Sequence, residues 1–525
     1  MDPASFGLAV FSALDLCIKY GTELIKICRE YRRFEEEIDE IVLVVEGLWV
    51  KTEVQLDSLR VLWNTLHKTL QSHYFDALQR LERKTLAAVQ TIQHVKELAA
   101  PDASSLRKVK AIYIKRHLKE AVADLEDWQR RFDPSWYLIT RIASPVIDKQ
   151  LRDGLPGNNS STIRLKRIRE AIKEVSSIGS SHAGSVFMNT SHIVGSAHEI
   201  PGTNTTIASY GNVARTVLLD RTDYGPLTEA MTAKTYVRDV ARLLLNVEPM
   251  TFGLLKCEGV IELPDENNKS QFQFILEVPK GLSSPRTLRS ILAEAPRCSL
   301  SHRIQLAKQL ARSVMFVHTS GFVHKNIRPE TILVFADGSN RLGPSFLSGF
   351  ERIRPSGAAT EKSGDLVWQK NFYRHPTRQG LWPEDYYNMQ HDIYSLGVCL
   401  LELALWWSFV QYDGDTAIPC SELDITAAIS DKDPRRGAFA IKKKLVAMAE
   451  HRLPSSMGDR YTDLTVACLT CLDNGESNTF GYDVKDEDGI VVGVRYIEKV
   501  VPVCYLRGFR LMNSQVLLQI EEICI

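Results

Sequence analysis

The apolar residues of this chain change their spacing part-way along it, and no single layer of secondary structure accommodates both spacings. Between Phe34 and Leu70, Ile38, Ile41, Val45, Leu48, Thr52, Leu56, Leu59, Trp63, Leu66 and Leu70 recur at steps of three and four. That rhythm puts them on one face of a single predicted helix, which at about 1.5 Å per residue spans roughly 50 Å. Beyond Thr205, short β-like runs take over at Thr216–Leu219, Val260–Leu263 and Phe272–Val278, with a helical stretch from Leu227 to Leu245 between the first two. From Leu300 onward, long helical patterns return. A length of 525 residues exceeds one compact core, so two or three domains are expected.

The boundaries follow from the same patterns. A second helix is predicted from about Phe75 to Leu98, stopping before Pro101, and a third from Ser104 through Trp128. With the opening helix and a short one after Trp136, residues 1–150 make an all-α bundle of four or five helices, its end packed by Trp128, Trp136 and Tyr137. Residues 151–204 are rich in Gly, Ser, Asn and Thr and are expected to form a connector. Its one brace is a short basic helix, Ile163–Val175. Residues 205–525 then form a two-lobed α+β fold, the small lobe at about 205–283 and the large lobe at about 284–525.

Composition removes several function classes. Lys plus Arg and Asp plus Glu number 64 each, so the chain lacks the broad positive field that favours nucleic acid. No uncharged run reaches the ~20 residues of a membrane-spanning helix, and no basic residue precedes the apolar opening stretch as in a secretory signal. The ten cysteines have no repeating spacing, which predicts reduced thiols and a cytoplasmic protein. Cys468 and Cys471 have the spacing of a metal or redox half-site. With no second pair nearby they are expected to be buried structural thiols, and no metal site is predicted. Lys442, Lys443 and Lys444 are expected on a solvated helix face.

The chemistry is concentrated in SHRIQLAKQLARSVMFVHTSGFVHKNIRPETILV, residues 301–334. An amphipathic helix ends at His318–Gly321, and a His-led loop precedes a short β run. About seventy residues on, His391-Asp392-Ile393-Tyr394-Ser395-Leu396-Gly397 opens a strongly apolar helix. The two segments resemble the catalytic loop, H-R-D-L-K-P-E-N-I-L, and the buried D-x-x-S-x-G helix of eukaryotic protein kinases. Over the first lie His324, Lys325, Asn326, Ile327, Arg328, Pro329, Glu330, Thr331, Ile332 and Leu333 without a gap.

The resemblance implies a protein kinase-like fold, in which His324 packs and Asp392 anchors the loop backbone. It also exposes departures. Asn326 stands at the catalytic Asp, and an amide cannot accept the substrate's proton. Arg328 replaces the loop Lys, and Thr331 the Asn that holds a magnesium ion. Ser348-Gly349-Phe350 is the best match to D-F-G, putting a hydroxyl in place of the second metal-binding carboxylate. In the small lobe, the predicted phosphate-covering loop, Ile207–Val213, has only Gly211. Arg221 is a weak substitute for the strand Lys, and Glu229 a candidate for its helix partner. ATP is therefore a candidate cofactor that these replacements argue against, and a pseudokinase is expected.

MDPASFGLAVFSALDLCIKYG at the start and LEDWQRRFDPSWYLI near residue 130 resemble the HeLo and HeLo-like domains of fungal heterokaryon-incompatibility and cell-death proteins. That resemblance implies a bundle that self-associates, meets protein partners, and inserts its first helix into membrane lipid on activation. Bundle, brace and pseudokinase in this order are also similar in layout to the mixed-lineage kinase-domain-like effectors of necroptosis. The expected function is a cell-death type regulator in which the degenerate kinase-like region controls the bundle. Two alternatives stay open: an active Ser/Thr protein kinase with unusual catalytic residues, and a pseudokinase scaffold whose bundle serves assembly. Residues 501–515 interrupt an amphipathic helix that Lys499 joined directly to Val516 would complete, as a retained intron would.

Overall fold

The structure is a computed structural model that describes residues 3–31, 36–66, 68–97, 113–125, 128, 186–188, 193–211, 215–224, 230–266, 269–339, 341–350, 353–355, 364, 366–474 and 478. The chain divides into two compact units, Met1–Lys166 and Arg167–Ile525. The brace helix at 163–175, Trp136, Tyr137, Glu229 and the segment 501–515 lie outside the described residues.

In the first unit α1 (Pro3–Glu30) packs against α2 (Glu36–Leu62) and α3 (Lys68–Glu97), and α4 covers residues 113–125. α1 and α2 are antiparallel: Arg29 pairs with Glu46 at 2.8 Å, and Arg60 with Asp15 at the other end. Between them Gly21 admits the indole of Trp49 so closely that a Cβ there would fall inside the ring. Trp128 is buried and donates its indole N–H to Gln55 at 3.0 Å, and Lys84 of α3 pairs with Asp124 of α4 at 2.8 Å.

The helix predicted over 34–70 is two helices. The chain leaves α2 through a 3-10 turn, Trp63–Thr65, and Leu66 is extended at φ −79°, ψ 144°. Trp63 O then accepts from Leu66 N at 3.2 Å and from Gln71 Nε2 at 2.8 Å. Trp63, Leu66 and Leu70 are all buried across the break, so the apolar period runs through it unchanged. Only Asn64 and Thr65, weak helix formers, mark the turn. α3 accordingly starts at Lys68, ahead of the Phe75 expected from the pattern.

The second unit opens with a six-stranded sheet made of β1 (Phe187–Met188), β2 (Ile193–Glu199), β3 (Thr205–Tyr210), β4 (Arg215–Tyr224), β5 (Cys257–Glu266) and β6 (Lys269–Glu277). Its order is β1-β5-β6-β4-β3-β2, antiparallel except for β1 against β5. β1 and β2 come from residues assigned by composition to a connector ending at 204. Their Gly, Ser and Thr content hid a small lobe that begins nearly twenty residues earlier. Alternation along β4 puts Val217 and Leu219 in one core with Ala208, Tyr210, Ile261 and Ile275. It turns Leu218, Asp220 and Thr222, all buried, to the other face. Helix α5 (Ala230–Leu245) packs on β5 and β6.

The large lobe begins with β7 (Ser283–Thr287), which joins β9 (Ile332–Ala336) and β10 (Leu342–Leu347) in a three-stranded sheet of order β10-β9-β7. α6 (Leu288–Glu294) follows β7, and α7 (Leu300–Thr319) starts where the Ser299 hydroxyl caps His302 N at 3.2 Å. α7 runs into β8 (Phe322–Val323). At the centre is α8 (Met389–Leu405), begun by an Asn388–His391 capping box and buried over nearly its whole length. α9 (Pro434–Met457) and α10 (Asp459–Leu469) pack against it.

Lys442 of α9 corrects the expected solvated lysine face. It is buried, its Nζ lies 3.2 Å from His375 Nε2, and it pairs with Asp473. Lys443 is exposed, and Lys444 pairs with Asp424 at 2.7 Å. Cys468 and Cys471 are buried, Cys471 donating to Gln390 O at 3.2 Å.

Candidate functional site

The His-led loop between β8 and β9 is fixed from beneath by one carboxylate. Asp392, in the first turn of α8, is fully buried and accepts from His324 N at 2.7 Å, Lys325 N at 2.9 Å and Tyr387 OH at 2.6 Å. Its Oδ2 also lies 3.0 Å from His318 Nε2. Burial works to raise the Asp392 pKa, but these hydrogen bonds and the neighbouring rings hold it below the ordinary carboxylate value. The loop bends sharply there: Lys325 sits at φ +66°. His324 is buried beneath the loop with its ring 5.4 Å from that of Phe350, and burial pushes its pKa down to about 4. It is a packing residue, neutral at physiological pH.

Asn326, Arg328 and Thr331 are brought together but turned on one another. Arg328 Nε donates to Asn326 Oδ1 at 3.0 Å, and Asn326 Nδ2 reaches Gly349 O at 3.4 Å. The Thr331 hydroxyl donates to Asn326 O at 2.7 Å and receives Arg328 N at 3.2 Å. Ser348 joins them from the end of β10, its N–H and hydroxyl both directed to Thr331 O, at 2.8 and 3.2 Å. The aromatic of the Ser-Gly-Phe triplet comes last, and Phe350 stacks between His324 and Phe274, 6.1 Å from the latter. Among the described residues no group of three or more His, Cys, Asp or Glu is placed to hold a metal ion.

On the small-lobe side the structure keeps one of the two residues chosen from sequence, Arg221, at the cleft, and not the other. Gly211 lies in the turn between β3 and β4 and does not line the cleft. The loop over the cleft is Ile200–Asn204, between β2 and β3, with Gly202 at φ +78°. That loop is closed on itself: Thr203 N and its hydroxyl both donate to Ile200 O, at 3.1 and 2.8 Å. Arg221 lines the cleft, half-exposed, and pairs with Asp223 at 3.0 Å. Its neighbour Asp220 faces inward, 2% exposed, accepting from Thr205 Oγ1 at 3.0 Å and from Gly349 N at 3.0 Å. Strand alternation was the signal for it: an acidic residue ending Val217-Leu218-Leu219 shares the face of Leu218, opposite that of Leu219 and Arg221.

Sequence reasoning also missed Arg289. It is buried on α6 and donates to Glu330 at 3.2 Å, Glu402 at 2.7 Å and Ser408 at 2.8 Å, with Tyr373 also against it. The opposing pull of Arg289 and Arg328 outweighs burial and holds Glu330 below its ordinary pKa. The catalytic-type loop is thereby tied to α6 and α8 by charge as well as by the Asp392 anchor.

No protein-family model matches the chain. Its similarity to known proteins is partial. It is 29% identical over 133 residues to a probable serine/threonine-protein kinase of Clostridium acetobutylicum, covering 25% of this chain and 19% of that protein. It is 25% identical over 225 residues to the serine/threonine-protein kinase PknL of Mycobacterium tuberculosis, covering 42% and 51%. A serine/threonine-protein kinase-like protein of Arabidopsis thaliana is 32% identical over 105 residues, covering 19% and 27%. The matches thus span from about a fifth to half of those relatives. Together with the Asp392-anchored loop they decide the matter for this part of the chain. It holds a protein kinase-like domain.

The end of the cleft beside Asp220 and Ser348 leaves too little room for a triphosphate with its metal. Ligand cavities run to ~300–1,000 Å³. The cavity lined by Asp220, Arg221, Asn326, Arg328, Thr331 and Ser348 is about 40 Å³, little more than the share of one water. Asp220 also brings a negative charge to a cavity that Arg221 and Arg328 line with positive charge. Asp220 offers a triphosphate a carboxylate, and the Gly349 amide that faces the cleft is already donated to it.

Proposed function

We propose that the kinase-like domain is a pseudokinase that works by conformation, regulating an N-terminal helical unit of HeLo-like, cell-death effector type. The observation that carries the first half is the set Asp220, Asn326, Thr331 and Ser348. It puts an acid where a base is needed to hold phosphate, and neutral groups where a proton acceptor and two metal ligands are needed. Losing the proton acceptor alone costs a factor of ~10² to 10⁴. The relatives' names make an active Ser/Thr kinase the competing reading. The test is purified full-length protein with magnesium and labelled ATP. The expected result is no transfer above an Asn326→Ala control, and transfer that this substitution abolishes would favour the competitor.

The second half draws support from the helical first unit, with a core of its own, and from its opening sequence. No helix among the described residues is long and apolar enough to cross a membrane, so insertion would require α1 to be combined with other copies or lipid-stabilised. Protein partners and self-association through this unit belong to the same proposal. Residues 1–166 added to anionic liposomes are expected to release an entrapped dye. Intact liposomes would favour an assembly scaffold instead.

A further inference from the structure

We propose that Asp220 is a latch that holds the small and large lobes of the kinase-like domain closed on each other. The carboxylate spans two elements 129 residues apart in the chain: Gly349 N donates to one oxygen, and Thr205 Oγ1 to the other, each at 3.0 Å. Gly349 belongs to the turn that leaves the large-lobe sheet after β10, whereas Thr205 and Asp220 are directly paired residues of β3 and β4. A backbone N–H donated to a buried carboxylate is among the stronger protein hydrogen bonds.

The geometry of the turn makes this contact specific. Gly349 is at φ +78°, and a Cβ there would lie 2.5 Å from Thr331 Cγ2 and 3.4 Å from Asn326 Nδ2. Only glycine lets the amide point up at β4 while the loop packs under it. Beside the latch, Phe274, the residue paired with Asp220 across β4 and β6, stacks on Phe350. Polar clasp and aromatic stack therefore join the same two lobes at one place. Opening must separate them together and return the carboxylate to water. Such a contact favours two discrete arrangements over a continuum.

The proposal rests on reading the cleft as regulatory, but the two fail separately. Phosphoryl transfer by the wild-type protein would remove that reading and leave the contact untouched. The test is hydrogen exchange of the full-length chain, following residues 200–210 and 346–350, with α8 as internal reference. Asp220→Asn is expected to speed exchange in both segments by at least about tenfold with α8 unchanged. Thr205→Val, which removes one donor to the carboxylate, is expected to give the same pattern at roughly a few-fold, and stands in if the first variant does not fold. Unchanged exchange at Gly349 in either folded variant would overturn the latch. So would equal acceleration of α8, which would make these residues supports of the whole fold.

Discussion

Asp392 carries more of the loop's geometry than any residue of the loop itself. Four donors converge on a carboxylate with no exposure, so its removal leaves two backbone N–H groups and two side chains without their acceptor. Asp392→Ala is expected to destabilise the kinase-like domain by about 3–5 kcal/mol, read as a fall in the urea midpoint of that domain. The buried histidines set its acid sensitivity. His324 is held at about 4 and His391 at about 3, both below their ordinary value through burial. In the unfolded chain both would protonate near pH 6.5, so the unfolded state binds protons first as pH falls. Stability from these groups is full above pH 6.5 and declines down to about pH 3, His324 alone accounting for roughly 3 kcal/mol by about pH 4. His324→Phe should flatten that part of the profile in thermal unfolding at stepped pH; an unaltered slope would show that His324 is not responsible. Asn326, Arg328, Thr331 and Asp392 could all be located from sequence because a contiguous motif fixes its own register. Gly211 could not, because its position depends on which strands pair.

At the level of elements, the same distinction explains what the pattern of apolar residues showed and what it hid. Helix α8 was evident, being apolar on every side and introduced by its motif. The break at Trp63–Thr65 was not, because residues on either side bury into the same unit and keep the period of three and four. Strands β1 and β2 were hidden by composition: a two-residue parallel strand and an edge strand need few apolar residues when their neighbours supply the core. Missing β2 moved the expected phosphate loop one hairpin along, from Ile200–Asn204 to Ile207–Val213. In the helical unit, the contact of Gly21 with Trp49 gives a direct test of packing. Gly21→Ala forces the α1–α2 pair apart and is expected to cost about 1–3 kcal/mol, measured by urea unfolding followed through hydrogen exchange in α1. A neutral or stabilising result, as helix propensity alone would give, would show that Trp49 does not pack there.

For the whole molecule, the architecture sets a two-lobed kinase-like domain after a helical unit, with many polar groups of the cleft engaged in internal contacts. The Asp392 anchor, the Arg289 network and the His324–Phe350–Phe274 stack preserve the shape associated with kinases. Asp220 and the self-bonded loop at 200–204 line one end of the cleft. Reversing one position should therefore not restore the site. Asn326→Asp returns a proton acceptor but leaves Thr331 and Ser348 at the two metal-ligand positions, and no gain in labelled-phosphate transfer is expected. The most direct test of the closed, regulatory cleft is calorimetric titration of the full-length wild-type protein with ATP and magnesium. No saturable heat up to millimolar nucleotide is predicted, whereas a single-site isotherm in the micromolar range would contradict it.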